Sequence, residues 1–333
     1  MLGSVESIYK SMNTKRQKTL VIALGGNAIL RADQQGTVDE QYSNLERAAD
    51  HILELLGSGN RIVITHGNGP QVGHLLLAVE LGKQAVPPIP LDVCGAATQG
   101  IIGYMIQTTM ANLMRKAGIK HNITTVITQA LVDKDDPALE NPTKPVGPFY
   151  DLKEAQKLQK EKGWVMIEDS GRGYRHVVPS PKPMSIQQAR IIKSMLNANE
   201  IVIAVGGGSI PMVRGNDRSI RGIEAVIDKD YASSRLAIEL EADTLLILTA
   251  VEHVYRDFGL LSQKPLYEIN LTETKKLLTE GQFGKGSMEP KIQAAIEFLQ
   301  ETDSLPQERE VIITLPETAM MALQGKTGTR ITI

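Results

Sequence analysis

The stretch "VIALGGNAIL" (Val21–Leu30) decides the fold. Its first four residues are apolar and include β-branched side chains, a pattern that suits a strand covered on both faces in a parallel sheet. Gly25 and Gly26 then end the run, and helix-compatible residues follow. A turn of this kind presents backbone N–H groups to an anion. The stretch has no lysine or arginine, so an anion held there needs positive charge from elsewhere in the chain.

The same strand signature recurs in TLVIAL (19–24), RIVITH (61–66), ITTVITQAL (123–131), IVIAVG (201–206), TLLILTAV (244–251) and VIITL (311–315). Between these runs lie segments with helical patterning, at 44–56, 71–82, 97–117, 186–199, 229–240 and 291–301. Alternation of strand and helix predicts a doubly wound α/β sheet that binds ligands at the C-terminal ends of its strands. Residues 133–183 break the alternation with NPTKPVGPFY, EKGWVMIEDSGRGYRHVV and PSPKP. Their prolines, glycines and short alternating runs predict hairpins projecting from the sheet. A long excursion of this kind in a compact domain commonly serves as a lid or binding loop.

Bulk composition narrows the function classes. The chain has 333 residues, enough for one large α/β domain with a substantial core. A formal net charge of −2 argues against bulk nucleic-acid binding, and 4% aromatics argue against base-stacking platforms. The single cysteine, Cys94, excludes an intrachain disulfide and a cysteine-based zinc site, which fits a reducing compartment and a cytoplasmic location. No apolar run reaches the ~18–20 residues of a membrane span. Residues 1–16 lack the apolar core of a signal peptide and read as a disordered extension.

Three predicted strands end in glycine turns, at Gly25-Gly26-Asn27, at Gly67-Asn68-Gly69 and at Gly206-Gly207-Gly208. In a parallel sheet all three fall on one edge, where they form a surface for small anions. The second turn, GNGPQVG, is one residue too long for a dinucleotide fingerprint and contains a proline. GKT at 325–327 lacks the leading glycine of a P-loop, since Met320 stands there, and reads as a turn. Cys94 is expected to pack in the interior. The missing charge has three candidate sources. Lys144 is held between Pro142 and Pro145, Lys229 lies between Asp228 and Asp230 at a helix start, and Lys291 follows Pro290 at another. A lysine opposes the dipole at a helix N-terminus, so two such placements suggest that an anion belongs beside them. Asp228 suits an N-cap, and Asp230 is positioned to orient the cations.

These pieces occur together in ALGGNA (23–28), GNGPQVG (67–73), CGAATQGIIGY (94–104), NPTKPVGPFY (141–150), EDSGRGYRHVVPSP (168–181), AVIDKD (225–230), GSMEPKIQAAIEF (286–298) and GKTGTRI (325–331). In that order they resemble the carbamate kinases of the amino acid kinase superfamily, from about Lys18 to the C-terminus. The resemblance implies an α/β fold: a three-layer α/β/α sandwich with an open, mostly parallel sheet and a small protruding subdomain. It implies one domain over 17–333. Its N-terminal lobe (about 17–200) would bind the carbamoyl substrate under a lid (about 133–183), and its C-terminal lobe (about 201–333) would bind nucleotide. The implied reaction converts ATP and carbamate reversibly to ADP and carbamoyl phosphate, with Mg²⁺ on the nucleotide and ATP formation in arginine breakdown.

Carried over position by position, the resemblance makes Lys144, Lys229, Asp230 and Lys291 catalytic. Gly25, Gly26, Asn27, Gly67, Asn68, Gly69, Gly206 and Gly207 would bind substrate and phosphate. Thr249, Ala250, Val251, Tyr255, Gly286 and Met288 would bind nucleotide. No protein ligand for a metal is implied. The partners implied are small molecules and a second copy of the chain, with no nucleic acid and no membrane. Another acyl-phosphate-forming kinase, such as an acetylglutamate kinase, is the alternative. Those enzymes carry a lysine two residues before the glycine pair, where this chain and the carbamate kinases have alanine (Ala23), so the absent cation reads as relocated to Lys144.

Overall fold

A computed structural model describes residues 17–31, 34–169, 171 and 173–333; the extension read over 1–16 lies outside the described residues. In chain order the elements are β1 (Thr19–Leu24), a short 3-10 turn (Gly26–Ala28), α1 (Val38–Gly57), β2 (Arg61–His66), α2 (Gly69–Gly82), α3 (Leu91–Lys116), β3 (Ile123–Thr125) and β4 (Gln129–Val132). Next come β5 (Lys144–Tyr150), α4 (Leu152–Lys162), β6 (Val165–Glu168), β7 (Tyr174–Val178), β8 (Pro183–Ile186), α5 (Ala189–Asn197) and β9 (Ile201–Ile203). They are followed by β10 (Ile210–Arg214), β11 (Ile220–Gly222), α6 (Lys229–Glu239), β12 (Thr244–Leu248), β13 (Val254–Arg256), β14 (Lys264–Leu266) and β15 (Glu268–Asn270). The last elements are α7 (Leu271–Thr279), α8 (Glu289–Thr302), β16 (Glu310–Thr314), α9 (Ala319–Leu323) and β17 (Thr329–Thr332).

Eight strands form the main sheet in the order β15-β17-β16-β12-β1-β2-β9-β3. It is parallel from β16 to β3, and β17 pairs antiparallel with β16. β1 shows how the layers arise. Its side chains alternate, so Val21 and Ala23 join one core with Ile192, Leu236, Ile292 and Phe298. Leu20, Ile22 and Leu24 join another with Leu45, Ile52, Ile102 and Met110. Helices α5, α6 and α8 therefore cover one face, and α1, α3 and α9 the other. The result is the expected three-layer sandwich with an open, mostly parallel sheet.

Two predicted elements take different forms. ITTVITQAL divides into β3 in the main sheet and β4 in a smaller sheet, ordered β11-β10-β4-β8. The break is at Thr128, whose N–H donates to Gln99 Oε1 at 2.8 Å and whose carbonyl accepts from Gln99 Nε2 at 3.0 Å. A buried glutamine on α3 thus takes the N–H that a continuous strand would use and shares the carbonyl with the Ile210 N–H, which donates to it at 2.9 Å. The helix expected from Ile186 begins at Ala189 instead. Ile186 pairs with Ala130 in the smaller sheet, and its N–H donates to Glu239 at 2.9 Å.

Within the 133–183 excursion, β5, β7 and β6 form a separate sheet in that order, accompanied by α4. Its seat on the body is α2. A Cβ added at Gly73 on α2 would lie 2.0 Å from the Cα of Gly147 on β5, so the two backbones touch where neither residue has a side chain. Gly147 itself has φ +78°, which favours glycine. Beside this contact Val72, Leu91, Cys94, Val146, Val178 and Val226 form one small apolar cluster, and Lys162 of α4 pairs with Glu80 of α2. Cys94 is fully buried there, and burial raises its thiol pKa, as befits packing rather than nucleophilic chemistry.

Gly73→Ala is expected to destabilise this seat by about 1–3 kcal/mol through overpacking. Limited proteolysis should then cut within 144–178 faster than in the parent protein, while the main sheet stays protected. Unchanged cleavage would show that the seat tolerates the extra methyl group.

Candidate functional site

All the parallel strands of the main sheet direct their C-terminal ends to one edge. The turns after β1 (Gly25), β2 (Gly67), β9 (Gly206), β12 (Thr249) and β16 (Leu315) gather there. A Cβ on Gly67 would lie 3.9 Å from Gly26 N, and one on Gly207 would lie 2.2 Å from the Asn68 amide nitrogen. The three glycine turns read from the sequence are therefore neighbours. Val205, ahead of the third turn, is a buried β-branched residue with φ +55°, an uncommon conformation held here by its N–H donating to Thr128 Oγ1 at 3.0 Å.

Helices deliver the cations. Asp228 is the N-cap of α6, accepting from Asp230 N–H at 2.8 Å, which puts Lys229 at the first position of that helix. Lys291 lies in the first turn of α8. The two helices are joined by polar contacts: Tyr231 with Gln293, Ser234 Oγ with Ala294 O at 2.9 Å, and Arg235 with Glu297 and Glu301. Asp230 consequently pairs with both lysines, with Lys229 through Oδ1 and with Lys291 through Oδ2 at 2.9 Å. Lys144, at the start of β5, reaches across from the protruding sheet to pair with Asp228.

Burial shapes the charges. Desolvation opposes charge on Asp230, but Lys229 and Lys291 outweigh it and hold the carboxyl well below the usual range. Desolvation lowers the Lys229 pKa despite Asp230, with Lys291 adding repulsion. At Lys291, burial also works against the charge, but Asp230 prevails and the pKa rises. His66, at the end of β2, is fully buried and its pKa falls to about 4 through desolvation. Its Nδ1–H donates to Gly67 O at 2.9 Å, so it is a neutral prop beneath the second turn and not a phosphate contact.

Two cavities meet at this edge. The inner one, about 220 Å³, is lined by Gly26, Gly67, Asn68, Gly69, Gly207 and Gly286 together with Lys144, Lys229, Asp230 and Lys291. The outer one, about 480 Å³, shares Gly26, Lys229 and Lys291 and adds Gly25, Thr249 and Ala250. Thus most of the residues singled out in the sequence converge. Gly206, Val251, Tyr255 and Met288 line neither cavity; Gly206 lies behind the turn against His66, and Tyr255 packs near His253 and Phe258. The side chain of Asn27 lies outside the described residues. One reading changes in detail: the Gly25 N–H donates to Leu248 O at 3.0 Å, so an anion at the first turn must use N–H groups from Gly26 onward.

Sequence reasoning missed several wall residues. Asp228 was legible as a cap but not as the partner of Lys144, because that contact spans 84 positions. Arg31, Arg47 and His51 line the outer cavity from the α1 side, and Leu315, Pro316 and Glu317 from the turn after β16. Only the strand-end position of 315–317 gave a usable signal.

The family model described as "Amino acid kinase family" matches residues 18–314. The chain belongs to the amino acid kinase family. Relatives 44–49% identical over nearly the whole chain are carbamate kinases. The carbamate kinase of Pyrococcus horikoshii is 49% identical over 315 residues, covering 94% of this chain and 98% of the relative. Solved structures of the Giardia lamblia carbamate kinase, bound to AMP-PNP or to citric acid, share 45% identity, with TM-scores of 0.87 and 0.89; each match covers 95% of this chain and 98% of that one. These matches favour the carbamate kinase reading over the acetylglutamate kinase alternative.

Two desolvated histidines, buried His66 and half-buried His176, give a pH prediction. His176, on β7, is stacked on Trp164 and also has its pKa lowered by burial to about 4. An unfolded histidine, with a pKa near 6.5, takes up a proton that the folded one refuses. Stability from this source is full above about pH 6.5 and is lost as pH falls toward 4, and the depressed Asp230 extends the loss below the carboxylate range. Urea midpoints should fall over that window, and His176→Gln should flatten the slope. A parent midpoint constant between about pH 6.5 and pH 4 would contradict the assignment.

Proposed function

We propose that the chain catalyses reversible phosphoryl transfer between ATP and carbamate, with ADP and carbamoyl phosphate as the other pair. The observation that carries the reading is the charge cluster at the inner cavity: Asp230 pairs with Lys229 and Lys291, and Lys144 is brought beside them by Asp228. Carbamate is already an oxygen anion, so the reaction requires no general base. Catalysis then consists of in-line positioning and neutralisation of charge on the moving group.

In this reading backbone N–H groups from Gly26, Asn27 and the Gly67-Asn68-Gly69 turn hold the carbamoyl and phosphoryl oxygens. Lys144 and Lys229 stabilise the equatorial oxygens, and Lys291 follows charge onto the β–γ bridge. Asp230 keeps two ammonium groups close together before any anion arrives. The nucleotide extends over 201–333 past Thr249 and Ala250, with Val251, Tyr255, Gly286 and Met288 nearby, while carbamate binds within 17–200 under the protruding sheet as a lid. The family resemblance supports that division.

Mg²⁺ belongs to the proposal as a companion of the nucleotide, where it would screen the phosphates. Among the described residues no three His, Cys, Asp or Glu side chains form a metal-binding group, and Asp228 and Asp230 are engaged by lysines. The ion would be held mainly by nucleotide phosphate oxygens and water, in keeping with its hydration preference. The proposal includes a cytoplasmic location and a role forming ATP in arginine breakdown. Among the described residues, no helix is long and apolar enough to cross a membrane. It also includes a homodimer, with Val93, Ile101 and Tyr104 of α3 offering exposed apolar surface for the contact.

ATP formation from ADP and carbamoyl phosphate tests the reaction. Lys144→Ala, Lys229→Ala and Lys291→Ala should each lower kcat by about 10²–10³, the usual effect of losing one transition-state donor. Folded variants that all keep parental kcat would remove the lysines from the mechanism. For the assembly, sedimentation at micromolar concentration should give twice the chain mass, and Ile101→Glu should shift it toward one chain.

A further inference from the structure

Any reading in which carbamate is the acceptor leaves one chemical question open. The three lysines and the backbone N–H groups recognise oxygens, and they serve carbamoyl phosphate and acetyl phosphate alike. The difference between those molecules is an amino group in place of a methyl group. An amino group donates hydrogen bonds, so telling them apart requires an acceptor in the inner cavity. The carboxylates there are engaged: Asp228 accepts from Lys144 and from Asp230 N–H, and Asp230 accepts from Lys229 and Lys291. Asn68 remains. It lines the inner cavity beside Gly67, Gly207 and Lys144, and it is 5% exposed.

The orientation of its amide follows from its neighbours. Thr98 Oγ1 donates to Gly95 O at 2.8 Å; a carbonyl can only accept, so the hydroxyl proton is committed there. Thr98 Oγ1 must then accept from Asn68, which makes the atom 2.8 Å away the amide nitrogen. Oδ1 makes no hydrogen bond among the described residues. It is the side-chain amide or carboxylate oxygen on this cavity wall that has no protein partner. The Gly207 backbone packs against the same amide, where a Cβ would come within 2.6 Å of Oδ1, and this restricts rotation of the group.

We propose that Asn68 Oδ1 accepts a hydrogen bond from the amino group of carbamate and carbamoyl phosphate, making Asn68 a specificity-determining residue and Thr98 a positioning residue that fixes its amide. The proposal rests on the carbamate reading of the site. It assigns the side chain a task separate from the anion-binding backbone of the same turn. A methyl group cannot donate, so acetyl phosphate entering the cavity leaves Oδ1 unsatisfied, whereas the amino group of carbamoyl phosphate satisfies it.

The test compares two probes in the full chain. One measurement is kcat/KM for carbamoyl phosphate with ADP; the other is Ki for acetyl phosphate competing with carbamoyl phosphate. Asn68→Ala should lower kcat/KM by about 10–100-fold, the effect expected of one unmade hydrogen bond to a buried polar group, while Ki changes less than about threefold. Thr98→Val keeps Asn68 but frees its amide, and should give a smaller change of the same kind. This variant decides the matter if Asn68→Ala does not fold. Equal weakening for both probes would overturn the proposal, since it would reduce Asn68 to a part of the backbone turn. Failure of the parent protein to form ATP from carbamoyl phosphate would instead overturn the reaction and this recognition with it.

Discussion

Like charges buried together are the constraint around which this molecule is built. Lys229 and Lys291 occupy one water-poor corner, and Asp230 between them counters the desolvation that opposes their charge. Removing water from an ion is expensive, and here one carboxylate offsets it for two ammonium groups by giving each a separate oxygen. That geometry dictates the neighbourhood. Helices α6 and α8 must start side by side, so their facing sides carry the Tyr231–Gln293, Ser234–Ala294 and Arg235–Glu297 contacts. Ser233 of α6 hydrogen-bonds Thr65 of β2 at 2.6 Å, tying the helix to the strand that ends in the second glycine turn.

The sheet supplies the other half of the site by ending its strands on one edge. Three helix N-termini, those of α2, α6 and α8, open onto the same inner cavity. Their dipoles favour an anion and oppose the lysines placed among them. A site with this balance is poised for a ligand that carries several negative oxygens, and such a ligand relieves the mutual repulsion of the cations.

How much of this was legible in the sequence follows from range. The main strands were readable because fully covered strands are apolar on both faces, and β1 and β2 match their predicted bounds. The cations at helix starts were readable because Asp228, an N-cap, and Pro290, in the first turn of its helix, are local signals. Thr128 was not, because the residue that interrupts its strand is a glutamine 29 positions away on α3. The two-sided role of Asp228 and the seat made by Gly73 and Gly147 are likewise products of distant contacts. Local chemistry writes an element; only folding reveals which backbone will lie against it.

The arrival of Lys144 on a separate sheet has a consequence for how the chain divides its labour. Ala23 on β1 stays fully buried and small, so the central strand of the body carries no charge at all. The third cation is instead carried by an insertion that meets the body through a glycine contact, a patch of valines and a few ion pairs. Such a construction works like an interchangeable tool on a fixed handle. The insertion meets the body over a small area, so its side chains can change without repacking the main sheet.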